Sequence, residues 1–313
     1  MGDQMSSNLN DHESNVPRVA VAMSTYNGEK YVAQQLDSIL AQDYPQVDIF
    51  VRDDGSPHEE CRAVLQRYAD RGDITLICGE NMGVVASFLS VIAAVPAEYD
   101  FISIADQDDV WYPNKISRAV SVLQQKDKAK PQAYVAEYRY CDGEMHPGER
   151  SHLNKRGVGF ADMLYENVTS GNTMVINRAL ANRVNAAGTA GVYTHDWWLS
   201  LVASALGELT FDDFVCLDYR RTGNNASASG AGAQAIMSNR IKRYVQGDEL
   251  RKVTEQLLRL RQLWGGELSA DKRELLDKFL DGGRAAKAFA PTRLRQTMGG
   301  EIALRLLFLA GKL

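Results

Sequence analysis

The sequence predicts an α/β fold, a doubly wound and mostly parallel sheet flanked by helices, followed by a helical C-terminal extension. Three observations predict it. Short apolar runs alternate with amphipathic helical patterns through the first half of the 313-residue chain, as expected of βαβ units. Three of those runs end directly in polar clusters. After residue 225 the strand-like runs stop and the pattern becomes helical.

The elements follow in order. Arg18–Met23 (RVAVAM) reads as a buried strand and Ser24–Gly28 as a turn. Val32, Leu36, Ile39 and Leu40 fall on one face of a helix. Val47–Val51 is a second strand, closed by Arg52-Asp53-Asp54-Gly55-Ser56, with Ser56 suited to cap a helix whose first turn holds Pro57. A helix from about His58 to Tyr68 leads to a third strand, Ile74–Ile77, and Asn81-Met82-Gly83 turns into an apolar helix, Val84–Val95. A fourth strand, Phe101–Ala105, runs into Asp106-Gln107-Asp108-Asp109. Gln132–Glu137 and Thr173–Ile176 look like strands, and Thr194–Leu206 like a helix with Thr194 as its N-cap. Ala226–Gly232 reads as a flexible lid or linker. Helices are expected over Asp248–Trp264, Ala270–Leu280 and Glu301–Leu309. The implied organisation is a disordered leader over residues 1–16, an α/β domain over 17–228, and a helical region over 229–313 ending in a basic amphipathic tail.

Composition narrows the function classes. A hydrophobic fraction of 45% supports a sizeable core. A net charge of −5 is a poor match to general nucleic-acid binding, which needs a basic face. Cys61, Cys78, Cys141 and Cys216 form no CxxC pair, so neither a zinc site nor a disulfide framework is suggested, and a reducing cytosol is the natural setting. No apolar stretch approaches a bilayer span, and the first sixteen residues lack a signal-peptide core. From Arg284 onward six basic residues stand against Glu301 alone. In that tail Leu304, Leu307 and Phe308 with Arg305 and Lys312 suit either an anionic membrane surface or packing on the body or on a second subunit of a homodimer.

In open α/β sheets ligands sit beyond the carboxyl ends of the strands. Topology therefore places Ser24–Gly28, Asp53–Ser56 and Asp106–Asp109 on one rim. Three carboxylates in four residues repel one another, and a hard divalent cation bridging to phosphates relieves that repulsion. A solvated acidic turn reads the same way in isolation, but the apolar flanks Ile102–Ala105 and Val110–Pro113 bury this one. Asp53 or Asp54 can accept a hydrogen bond from a base or ribose, Tyr26 can stack on a base, and both segments also read as ordinary turns. In His195-Asp196-Trp197-Trp198 the carboxylate is flanked by aromatic bulk, a setting for a general base; the same residues also suit a helix N-terminus with core tryptophans.

With these residues in view, the chain resembles glycosyltransferase family 2, and within it the bacterial rhamnosyltransferase-like branch that builds O-antigen and cell-wall polysaccharides. The matching segments are Ser24–Gly28 with Gln35–Leu40; Arg52–Ser56; Asn81–Gly83; Asp106–Trp111 with Pro113 and Lys115; Gly171–Ile176; His195–Trp198; and Tyr219-Arg220 through Gly223–Asn225. They cover about residues 17 to 225 in the family's order. The resemblance implies an inverting GT-A fold and a nucleoside-diphosphate sugar donor, dTDP-β-L-rhamnose first among them and a UDP-hexose as the alternative. It implies a nucleotide site of Ser24, Tyr26, Asn27, Asp53, Asp54, Asn81, Asp106 and Gln107. Asp106 and Asp108, with Asp109 adjoining, would hold Mg²⁺ or Mn²⁺. Asp196 would be the general base, and Gly171, Asn172, His195, Trp197 and Trp198 would line the acceptor side. The acceptor would be a lipid-linked surface glycan, and the setting cytoplasmic or peripheral on the inner membrane face. The chain departs from the branch at Thr222, where a histidine is usual; this puts metal dependence in question and leaves Arg220, Arg221 and Thr222 to face the diphosphate. A noncatalytic sugar-nucleotide-binding subunit is the competing reading. The absence of GxGxxG and of a P-loop argues against dinucleotide and P-loop enzymes.

Overall fold

The computed structural model describes residues 16–221 and 248–313. Its first half follows the expected alternation: β1 (Val19–Thr25), α1 (Val32–Leu40), β2 (Val47–Asp53), α2 (Glu59–Asp70), β3 (Thr75–Cys78), α3 (Val84–Ala94) and β4 (Phe101–Ala105). Then come β5 (Val110–Trp111), α4 (Lys115–Leu123), β6 (Gln132–Cys141), β7 (Pro147–Arg150), α5 (Phe160–Tyr165), a 3-10 turn (Gly171–Thr173), β8 (Val175–Asn177), α6 (Arg178–Ala187), α7 (His195–Leu206) and β9 (Glu208–Arg220). The C-terminal region carries α8 (Asp248–Trp264), α9 (Ala270–Asp281), α10 (Arg284–Ala288) and α11 (Met298–Leu309). Among the described residues no helix is long and apolar enough to cross a membrane.

The strands form one sheet in the order β3-β2-β1-β4-β8-β6-β9-β5, with β7 pairing on β6. The β3-β2-β1-β4 block is parallel, β8 is antiparallel to β4, and β6 and β9 run parallel to each other. Both faces are covered, and the strand sequences show why. Ala20 and Ala22 of β1, Phe50 of β2, and Ile102 and Ile104 of β4 enter one apolar cluster with α3, α6, α7 and the C-terminal helices. Their alternates Val21 and Met23, Ile49 and Val51, and Phe101 and Ala105 enter a second cluster with α1, α2 and α4. The period of two along each strand thus splits a continuous apolar run between two layers.

Several local expectations are corrected. Ser56 does not cap α2, which starts at Glu59 after His58; its hydroxyl donates to Asp53 instead. Thr194 precedes α7, but its side chain makes no capping bond. Thr173 lies in the 3-10 turn, closed by its hydroxyl donating to Ser170 O at 2.9 Å, so β8 begins two residues later. In the tail, the packing alternative holds for part of the apolar face. Leu304 and Phe308 are buried, with the Phe308 ring 5.4 Å from Tyr165 and 5.6 Å from Phe279. Arg305 is engaged by Glu301 and by Lys287 O, at 2.7 Å each. The Ala226–Gly232 stretch, Thr222, and the leader up to residue 15 lie outside the described residues.

Candidate functional site

The strand register brings three loops together. Thr25 pairs with Asp53, and Met23 with Ala105, so β1, β2 and β4 end nearly level. Their polar segments share one rim.

Gln107 ties two of these loops. Its Oε1 accepts from Thr25 Oγ1 at 2.6 Å and from Tyr26 N at 2.8 Å, and its Nε2 donates to Tyr26 O at 3.2 Å. The amide completes a two-way peptide-like pairing, so Gln107 serves the loop rather than standing free toward a ligand. Gly28 makes room beside it: a Cβ there would lie 2.5 Å from Thr25 Oγ1 and 2.6 Å from Gln107 Oε1, so those side chains would have to shift. Asn27 takes φ 51°, and its N–H donates to Ser56 Oγ at 3.0 Å. Ser56 in turn donates to Asp53 Oδ1, leaving Asp53 Oδ2 buried with no protein partner among the described residues.

Asp54 is differently placed. Its carboxylate accepts from the buried Arg52 guanidinium and from Met82 N and Gly83 N, both at 3.0 Å. It buckles the end of β2 to the turn that starts α3. Gly55, at φ +72°, allows that turn to approach, since a Cβ would meet Asn81 N at 2.6 Å. Ser24 Oγ shares a 2.6 Å hydrogen bond with Ser87 Oγ, to which Arg52 also donates at 3.0 Å. Tyr26 and Asn81 are exposed on the rim, Tyr26 at 44%.

The acidic loop is held from below and from the side. The buried Lys115 donates to Ser103 Oγ at 3.0 Å and sits 3.3 Å from the centre of the Trp111 ring. Burial pushes its ammonium down to about 8, against the pull of Cys216, Asp109 and Asp106. Asp106 is pushed up to about 7, first by burial and then by the like charges of Asp108 and Asp196, with Lys115 acting the other way. Burial also raises Asp108, opposed by Arg220, and raises Asp109 further, where Asp106 and Asp108 add repulsion. Asp109 is fully buried; its Oδ2 accepts from Asn172 Nδ2 at 2.6 Å, and its Oδ1 has no partner among the described residues. Arg220 donates to Asp108 O at 3.0 Å, to Gly143 O at 2.7 Å and to Gln34, so its guanidinium anchors the loop's backbone. Arg221 is exposed and lies 3.6 Å from the Tyr140 ring centre. The donor chemistry of the loop, carboxylate oxygens under mutual repulsion, fits Mg²⁺ or Mn²⁺. Among the described residues no group of three or more His, Cys, Asp or Glu side chains forms a metal cage, so such an ion would draw further ligands from phosphate oxygens.

The fourth element is the tip of α7. Gly171 packs on it closely: a Cβ there would lie 3.0 Å from His195 Nε2 and 3.2 Å from Asp196 Cβ. Asp196 Oδ1 accepts from Trp197 N and Oδ2 from Asn167 Nδ2, each at 2.8 Å, which leaves each oxygen a further acceptor site. His195 stacks on Phe88 with ring centres 4.0 Å apart, and burial lowers its pKa while Asp196 pulls it up. The two tryptophans do not line a cleft, which corrects that expectation. Trp198 is 0% exposed and stacks on Trp264 at 5.7 Å; Trp197 is buried, with Nε1 donating to Met163 O at 2.6 Å. Asn172 is also buried and serves Asp109.

Three supporting residues carried no assigned role in the sequence. Arg52 and Lys115 stand inside the quoted motifs, and the cost of burying an unpaired charge is the signal that could have marked them. Asn167 sits 29 positions from Asp196 and gives no local signal.

Comparison with known proteins gives the family and the fold. The family model for glycosyl transferase family 2 matches residues 20–184, more than half of the chain. An uncharacterized glycosyltransferase of Rickettsia prowazekii is 28% identical over 210 residues, 65% of this chain and 64% of that one. The dTDP-rhamnosyl transferase RfbG of Shigella flexneri is 29% identical over 191 residues, 56% of this chain and 63% of that one. The matched region thus spans a little under two thirds of either relative. Among solved structures, residues 1–349 of S. aureus TarS in complex with UDP-GlcNAc superpose with a TM-score of 0.57 at 14% identity, covering 94% of this chain and 88% of that one. That likeness is one of fold, the GT-A arrangement.

Proposed function

The chain belongs to glycosyltransferase family 2, and from that premise we propose that it transfers a sugar, with inversion, from a nucleoside-diphosphate donor to a hydroxyl of a bacterial surface-glycan acceptor carried on a lipid at the cytoplasmic face. The observation that carries the proposal is the meeting of two parts on one rim. The Gly171–Thr173 turn touches Asp196 and binds Asp109, and Asp106 feels the charge of Asp196. A carboxylate with spare acceptor capacity therefore faces an acidic loop suited to a diphosphate and its cation.

In this reading Tyr26 stacks on the base, and Ser24, Asn27, Asn81 and the unpartnered Asp53 oxygen face the nucleoside. Asp54 and Gln107 shape the loops that hold it. Asp106 and Asp108 would hold a divalent cation such as Mg²⁺ or Mn²⁺, which offsets charge on the departing diphosphate. Arg221, exposed beside Tyr140, is assigned to the diphosphate, and Arg220 fixes the backbone of the acidic loop. The acceptor oxygen attacks the anomeric carbon as the bond to the diphosphate oxygen breaks, and Asp196 takes the hydroxyl proton. We favour dTDP-β-L-rhamnose as donor, giving an α-L-rhamnoside; the ordered motifs and the similarity to the Shigella rhamnosyl transferase support this choice.

Asp196→Asn tests the assignment. It should bind donor with unchanged affinity by calorimetry yet lose about 100-fold or more in turnover; unchanged turnover would remove Asp196 from the reaction. A thermal-shift screen of dTDP-, UDP- and GDP-sugars, with and without Mn²⁺, tests the donor. Stabilisation by dTDP-rhamnose above the others is the expected result.

A further inference from the structure

The inward face of α11 is accounted for by packing, but its outward face is not. Met298, Ile302, Leu306 and Leu309 recur there at helical spacing, and all four are exposed, Leu306 at 60%. The intervening outward positions, Gly299, Ala303 and Ala310, are also exposed and carry no polar side chain. Phe289, at the end of the adjoining α10, is 76% exposed. A soluble helix ordinarily turns charged side chains outward, and this one turns none.

Within the segment that carries that face, the charges are almost all of one sign. Between residues 283 and 313 the single acid is Glu301. It is buried, and its carboxylate accepts from Leu294 N, Arg295 N and Arg305. Asp281, just before this segment, is paired with Arg261. The charges left outward are cationic. Arg284 is exposed and lies against Gly311, where a Cβ would come within 2.5 Å of its guanidinium carbon, so it sits at the C-terminal end of α11. Lys312 is exposed nearby, and Arg293 is half-buried.

We infer that this face is a docking surface for an anionic lipid bilayer, with α11 lying in the interfacial plane and Phe289 and the aliphatic stripe entering the acyl boundary. An in-plane helix needs an apolar face and a cationic margin rather than a span's length, and both are present. Charge selects lipid over self-association. A two-fold pairing of this face would bring cations of both copies together, whereas acidic headgroups neutralise them. The inference is independent of the donor-site reading, and neither depends on the other's success.

The experiment is cosedimentation of the full chain with vesicles of phosphatidylglycerol and phosphatidylcholine, and with phosphatidylcholine alone. The parent should bind the anionic vesicles and be weakened by salt. Ile302→Ser with Leu306→Ser should reduce binding about tenfold or more, because these side chains supply the buried apolar area. Arg284→Gln with Lys312→Gln should reduce it on anionic vesicles alone. All four positions are exposed, so circular dichroism and the unfolding midpoint should match the parent, separating lost docking from lost folding. Absent binding, undiminished binding by the Ser variant, or equal binding to neutral vesicles overturns the inference. So does a concentration-dependent dimer abolished by the Ser variant, which would give the face to a second copy.

Discussion

In the loops that end β1 and β2, consecutive residues all serve the rim. Thr25, Tyr26, Asn27 and Gly28 each contact or make room for Gln107 or Ser56, and Asp53 and Asp54 engage different neighbours at adjacent positions. At the tip of α7, His195-Asp196-Trp197-Trp198 divides its residues: Asp196 meets Asn167 and the Gly171 turn, while both tryptophans enter the core. The difference follows from backbone geometry. A strand-end loop can turn every residue toward one point. A helix rotates successive side chains by roughly 100°, so four consecutive residues cannot share a face. A motif on a helix therefore carries less chemistry per residue than the same length of loop.

The largest effect that can break this contrast is at Trp198. As a fully enclosed core residue, Trp198→Ala should cost about 3–5 kcal/mol, read as a lowered unfolding midpoint. Trp198→Phe should restore much of that stability with the acceptor KM unchanged. A raised acceptor KM at an unaltered midpoint would instead return the residue to the cleft. Asn172 comes next. Asn172→Ala would leave the buried Asp109 carboxyl without its side-chain amide donor, at a cost of about 1–3 kcal/mol in denaturant unfolding. The loss should shrink as pH falls and Asp109, already raised by burial, takes up a proton.

Gln107 tests the strand-end loops with a smaller effect. Gln107→Ala removes three hydrogen bonds between two loops without touching either loop's backbone. Net contributions of about 0.5–1.5 kcal/mol per bond predict a donor affinity weakened roughly tenfold or more, with kcat changed less than KM. Equal losses in both would mean that Gln107 acts on the transition state and not on loop position.

The same contrast governs how much the chain disclosed by itself. The parallel block was legible because β1, β2 and β4 are apolar on both faces and end in polar clusters, which fixes both the sheet and the rim. β9 was not, because Glu208, Asp212 and Asp213 interrupt its apolar pattern; it is a strand because β6 pairs with it through two register shifts. The acidic loop could be read as a ligand site, but its supports Asn172 and Arg220 lie 63 and 112 positions away. The tail's basic amphipathic character was visible. Which of its faces the body would cover was not, since Leu304 and Leu306 are equally apolar in the sequence, yet Leu304 is buried in the core cluster and Leu306 is exposed.

The smallest expected effect concerns His195, the residue between these two regimes, on the helix but against the cleft turn. Its ring is stacked on Phe88 and its Nε2 is buried without a partner among the described residues. Burial lowers its pKa from the ordinary 6.5, although Asp196 favours the charged form. The folded chain therefore binds the proton less readily than the unfolded chain. Stability from this group is complete above about pH 6.5 and is lost as pH falls through that value toward the lower folded one. His195→Phe keeps an aromatic ring for Phe88 and removes the titration. Its stability should decline less steeply than the parent's below pH 6.5, the slopes differing by at most one proton, about 1.4 kcal/mol per pH unit. Unfolding curves of both proteins from pH 7.5 to 5 give that difference directly. Parallel curves would mean that His195 titrates alike in both states, and that the tip of α7 is more open to water than its packing on Phe88 and Gly171 implies.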